Sequence, residues 1–380
     1  MQPGVCGAKR GTPSLAGASL LLVRSPLTRS PLTRSPLILS LLILWLGCGS
    51  TPSLDSASSQ QASADRDAAS ARIASFSADR AWRDLRALTE VGARPVGSRG
   101  NDRARDYLRV KLEDLGVEVE SWEVDYANAE KQSSGAGAPE TRVTNLSAII
   151  PGTRSQDRFL LVAPFDSRSY DDFEFIGAND GASGAAVVLE IARSIAADPL
   201  LYATEIVFLD GESPFPSPDG QGASYQEIGS FGLASRIQEA GISEVRMMGY
   251  LNRVGDADLR IARDLMSHRI YREEFWKAAA ALNRTHAFPR DAAFENAGIA
   301  HQYFVQIGLR QIVSIVDTSF GGDQPPGLYA GTEQDTIERC SPESLETVGV
   351  VALEALDAIS KRLGKIDRFA GSRDDEGDVR

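Results

Sequence analysis

The chain has 380 residues, 42% of them hydrophobic, enough material for one large core. Its 52 acidic residues outnumber 40 basic ones, giving a formal charge of −12 at pH 7. Such a surface is expected to repel nucleic acid and anionic lipid head groups, so nucleic-acid partners are not expected.

Residues 1–47 carry Lys9, Arg10, Arg24, Arg29 and Arg34 and no acidic residue, and they end in the apolar run Leu37 to Leu46. That run is short for a transmembrane span, and its flanks suit a secretory signal. The low-complexity repeat RSPLTRSPLTRSPL, Arg24 to Leu37, leads into it. Leu46-Gly47-Cys48-Gly49-Ser50 follows and resembles a bacterial lipobox, with Trp45 where leucine is usual. Cys48 is then the expected lipid anchor of an exported protein, lipid-anchored to a bacterial membrane or periplasmic. Residues 48–70 read as a flexible Ser/Ala/Gln tether, 71–365 as the folded domain and 366–380 as a disordered, charged tail. Cys340 has no expected disulfide partner and reads as a small buried filler.

Within the domain, Ile73 to Thr89 and Asn101 to Leu115 have helical periodicity. Val117 to Tyr126 alternates as a strand, with Thr144 to Ile150 as its neighbour. Arg158 to Ala163 and Glu205 to Leu209 are apolar runs of strands buried on both faces. A helix is predicted over Gly184 to Ile195 and a long one over Leu265 to Leu282. Gln311 to Val316 is a late strand, and Pro342 to Leu363 a closing helix with proline in its first turn. Strands separated by helices predict an α/β fold with a mostly parallel, doubly wound central sheet flanked by helices. Functional residues are then expected at the C-terminal ends of the strands.

Three segments fall at those ends: LLVAPFDS (Leu160 to Ser167), GANDGASG (Gly177 to Gly184) and EIVFLDGES (Glu205 to Ser213). Their order and spacing resemble the zinc aminopeptidases and glutaminyl-peptide cyclotransferases of metallopeptidase clan MH. The first motif of that family reads A-H-Y-D-S and the last D-G-E-E. Gly92-Ala93-Arg94-Pro95-Val96-Gly97-Ser98 before a helix ending in Leu115-Gly116, and Thr144-Asn145-Leu146 leading to Pro151-Gly152-Thr153, extend the resemblance. It implies a zinc-exopeptidase fold from about Gly92 to Leu363. The long segment between Glu212 and Gly229 is more like the cyclase branch.

The resemblance further implies that Asp180 is the bridging metal ligand, Glu212 the general base and Asp166 the carboxylate behind the first histidine. The other ligands are replaced. Pro164 stands at the histidine, Ser213 at the second glutamate and Asn252 at the usual aspartate, and the Tyr329-Ala330-Gly331-Thr332 step carries no imidazole. Proline has no donor atom and serine is a poor zinc ligand. His301 aligns near the substrate and is expected to line the pocket, whereas His268 and His286 have bland readings. Asp180 is expected to cap the helix starting at Gly181.

The expectation is therefore a degenerate enzyme with no cofactor, or zinc if the family activity survives. It would act as a binding or scaffolding module for a peptide or protein N-terminus, held at the membrane through lipidated Cys48. The alternatives are a divergent aminopeptidase or glutaminyl cyclase relying on Glu212, and a calcium-stabilised interaction protein.

Overall fold

A computed structural model describes residues 69–124, 142–213, 215–216, 223–224, 227–295 and 299–377. The expected signal, the lipidated Cys48 and the tether up to residue 68 lie outside them. Among the described residues no helix is long and apolar enough to cross a membrane.

In chain order the main elements are α1 (Ala78–Glu90), α2 (Arg99–Glu113), β1 (Val119–Val124), β2 (Val143–Ile150), β3 (Ser155–Pro164), α3 (Gly184–Ala197) and β4 (Tyr202–Leu209). There follow α4 (Ile228–Ala240), β5 (Val245–Asn252), α5 (Arg269–Ala281), α6 (Ile299–Gln306), β6 (Ile312–Val316) and α7 (Pro342–Gly377). The six strands form one sheet in the order β1-β2-β4-β3-β5-β6. β3, β4, β5 and β6 pair in parallel, and the β1–β2 hairpin joins β4 antiparallel.

The alternation of side chains along a strand sorts β3 into two faces. Phe159, Leu161 and Ala163 pack with α1, α2, α3, α5 and α7 in the larger core. Leu160 and Val162 pack with Leu233 and Ile237 of α4 and Phe304 of α6 on the other side. Both faces are covered, so the strands read as unbroken apolar runs. α3 lies deepest, and Gly184 at its start is required by packing: a Cβ there would sit 2.2 Å from the Leu251 carbonyl oxygen.

Local chemistry overrides periodicity in three places. The expected helix over Ile73 to Thr89 is broken at Ser77, whose extended backbone and hydroxyl cap α1 at Arg80 N. The helix expected from Leu265 begins only at Arg269. Asp264 accepts Met266 N and the Ser267 hydroxyl, which turns the chain, and His268 Nδ1 caps Tyr271 N. The tail expected to be disordered from Ile366 continues α7 instead, because Asp367 is held by Arg246 at 2.8 Å and by the Tyr202 hydroxyl.

Cys340 is buried, donates weakly to Thr336 O at 3.8 Å and packs as a filler; burial pushes its thiol pKa up. α4, β5 and α6 have no counterpart among the predicted elements.

Candidate functional site

The loops that leave the C-terminal ends of β3, β4 and β5 converge on a cleft of about 250 Å³. Pro164, Asp180, Glu212, Ser213 and Asn252 all line it. At the Ala330–Gly331 step it is Gly331 that reaches the cleft.

The scaffold beneath is built from buried polar residues. Arg94, fully buried, donates to the carbonyls of Phe165 (2.8 Å), Gly177 (2.8 Å) and Leu88 (3.0 Å), tying the loop after β3 to α1. Burial lowers its pKa to about 10. Asp166 accepts Glu212 N at 3.1 Å and Ser213 N at 2.8 Å, so its carboxylate positions the backbone of the loop after β4. Burial, then the neighbouring Asp210 carboxylate, pushes its pKa up to about 7. Asp210 is itself fixed by the Asn101 amide at 2.7 Å and by Thr144 N at 3.0 Å.

Glu212 is aimed by Ser230, whose amide and hydroxyl each donate to its carboxylate at 2.7 Å. Burial and the nearby Glu227 carboxylate raise its pKa well above the ordinary range. Glu227 is raised to about 7 by burial. Both glutamates face the same cleft.

Asp180 does not cap α3. Asp335 accepts Asn179 N at 2.6 Å and Asp180 N at 3.1 Å, while Asn252 Oδ1 accepts Gly181 N at 3.1 Å. Asp180 and Gly181 leave helical geometry at this point, with Gly181 at φ 88°, which turns the carboxylate away from the helix start. Its Oδ1 accepts the Asn252 amide at 2.9 Å, and Arg253 Nε lies 3.4 Å from its Oδ2. Arg253 occupies a left-handed conformation, φ 53°, sustained by its own N–H donating to Asn252 Oδ1 at 2.8 Å. The Asp180 carboxylate raises the Arg253 pKa, keeping it charged.

The residues present do not fit a zinc ion. The retained carboxylate is engaged by a guanidinium and an amide, and the positions around it offer a proline ring, a hydroxyl and a backbone glycine. Among the described residues no three His, Cys, Asp or Glu side chains converge as a metal-binding group.

A second hollow of about 170 Å³ adjoins the cleft and shares Glu227, Tyr250, Asn252 and Arg253 with it. Met248, Phe294, Phe304 and Ile312 make it apolar. His301 lines this hollow rather than the cleft itself; it is 8% exposed, its Nδ1 has no hydrogen-bond partner and burial lowers its pKa. His286 lines a different hollow with Asp258, Arg260 and Ser341. Arg253, Glu227 and Asp335 were missed as site residues. Only the Arg that follows Asn252, a cation beside a lost ligand, offered a signal.

The family profile of Peptidase family M28 matches residues 145–356, more than half of the chain, and the chain belongs to that family. Its structure resembles the glutaminyl cyclase of an Acidobacteriales bacterium (24% identity, TM-score 0.64, 76% of this chain and 96% of that one). It also resembles a Zn-dependent exopeptidase from Parabacteroides distasonis (23%, 0.63, 74% and 98%) and the glutaminyl cyclase of Tannerella forsythia (24%, 0.63, 74% and 99%). At these identities the likeness establishes the fold. No curated protein matches the chain.

Proposed function

We propose that this M28 domain is a cell-envelope binding module that has lost zinc hydrolysis and receives the N-terminus of a peptide or protein. The observation that carries the reading is the Asp180–Arg253–Asn252 cluster, in which a fixed guanidinium stands beside the carboxylate that would bridge metals. A tethered cation neutralises Asp180 without offering an open coordination position or a polarised water. Glu212 and Glu227 then remain as acceptors for an α-ammonium group, and the adjoining apolar hollow suits the first side chain of the ligand.

Elemental analysis of the protein purified without chelator tests the loss of metal, and calorimetry with free and N-acetylated forms of one peptide tests the ligand. Sub-stoichiometric zinc and preference for the free amine are expected. Near-stoichiometric zinc, with aminoacyl hydrolysis abolished by Glu212→Gln, overturns the reading.

One feature favours a second reading. Ser230 orients the Glu212 carboxylate and burial raises its pKa, as a proton-moving group requires. A divergent cyclase would use it to carry a proton as the terminal amine attacks the glutamine side-chain amide and ammonia leaves. Ammonia release from Gln-initiated peptides measures this directly, and a flat panel rejects it.

A further inference from the structure

The end of the domain remote from the cleft carries a surface that runs against the chain's overall charge. Arg362, Lys365, Ile366 and Phe369 recur at helical spacing on α7 and are all exposed, Phe369 by 74%. Leu363 and Gly364 are buried between them, the glycine against Leu201. Beside this stripe the turn into α5 exposes Met266 (50%) and Ile270, and burial, then the nearby Arg362 guanidinium, lowers the pKa of His268. Basic and large apolar side chains thus share one face of an acidic protein.

Its place in the fold is fixed by contacts at the N-terminal ends of the parallel strands. Arg154, just before β3, donates to the Gly364 carbonyl, and Arg246 at the start of β5 holds Asp367. The cleft lies at the opposite ends of the same strands. The chain also enters the domain on this side. Phe76 packs over Gly349 and Arg72 pairs with Asp357, so the segment before Phe76 runs along α7 towards Ile366. About 20 residues separate Cys48 from Ala69 in the sequence.

We propose that the Arg362–Lys365–Ile366–Phe369 stripe, with Met266 and Ile270, seats on an anionic lipid bilayer and turns the cleft away from it. The basic side chains meet head-group phosphates while the apolar ones enter the interface, a combination that neither a nucleic acid nor a purely acidic protein surface matches. The run Asp374, Asp375 and Glu376 in the sequence marks the far limit of this basic segment. This inference stands apart from the pocket reading, since it uses neither the cleft nor its ligand.

Hydrogen exchange of the full chain on vesicles tests it. On vesicles of phosphatidylcholine with about one third phosphatidylglycerol, amides of 265–270 and 362–369 are expected to exchange several-fold more slowly than on phosphatidylcholine alone, while those around Leu328, an exposed apolar residue in the loop that carries Gly331 to the cleft, do not change. Arg362→Glu with Lys365→Glu should abolish the difference at unaltered melting temperature. In the full chain with Cys48→Ala the slowing should persist at higher lipid concentration. Equal exchange on both vesicles, slowing that maps to the Leu328 loop, or slowing that disappears entirely with Cys48→Ala would each overturn the proposal.

Discussion

Arg253 Nε lies 3.4 Å from Asp180 Oδ2, and the other oxygen of that carboxylate accepts the Asn252 amide at 2.9 Å. Both partners of the ion pair remain about a third exposed, so solvent screens it and its worth is well below that of a buried pair. Arg253→Gln is expected to destabilise the fold by roughly 1 kcal/mol, and the double variant with Asp180→Asn to recover part of that loss. Urea denaturation of the four proteins in the cycle measures the coupling; additivity within error would remove the pair from the account of the site.

Protonation gives a second expectation. Glu227 has a folded-state pKa of about 7, raised by burial above its ordinary value of 4.5. The folded protein therefore binds this proton more tightly than the unfolded chain, and the associated stability is present below about pH 4.5 and lost as pH rises towards 7. Glu227→Gln mimics the protonated form. It should melt higher than the parent at pH 8 and alike at pH 4.5, which differential scanning calorimetry at the two values reads directly.

The same carboxylate is expected to bind the ligand's ammonium group only when ionised. Affinity for a free-amine peptide should thus rise from pH 5.5 to about pH 7 in the parent, and rise less steeply and be about tenfold weaker at pH 7 in Glu227→Gln. Calorimetric titration across that range decides it, and a pH-independent parent would count against an ammonium at this position.

Gly181 has φ 88°, and a Cβ there would fall 1.9 Å from the Asp166 carbonyl oxygen. No side chain can move to relieve a clash with backbone. Gly181→Ala is expected to cost on the order of 3 kcal/mol or more, or to prevent soluble expression, whereas Gly322→Ala, where nothing lies within 4 Å, should be close to neutral.

Metal ions offer a further check. An ion that binds only the folded state must raise its melting midpoint. Zinc, calcium and chelator are all expected to leave the midpoint unchanged, and a rise with calcium alone would revive the reading as a calcium-stabilised interaction protein.

Much of this was legible in the sequence because strand ends in a doubly wound sheet are where loops carry side chains to one place. Pro164, Asp180, Glu212, Ser213 and Asn252 are grouped by the resemblance to clan MH, and the helices and strands around them, β5, α4 and α6 apart, follow from apolar periodicity. Tertiary hydrogen bonds decided the rest. Asp180 resembles an N-cap in one dimension, yet Asp335, 155 residues away, supplies the caps at Asn179 and Asp180. The ion pair that holds α7 at Asp367 likewise depends on a partner, Arg246, that no local window contains. β5 escaped notice because Arg246 and Asn252 bracket a run that includes a glycine, and its strand character comes from β3 and β6 on either side.

Asn252 uses its single amide group three ways, donating to Asp180 and accepting from Gly181 N and Arg253 N. Aspartate there would turn the donor into a second anion pressed against the first, so Asn252→Asp fits this site only if Asp180 or Arg253 changes with it. A single side-chain amide thus makes the residues at 180, 252 and 253 interdependent.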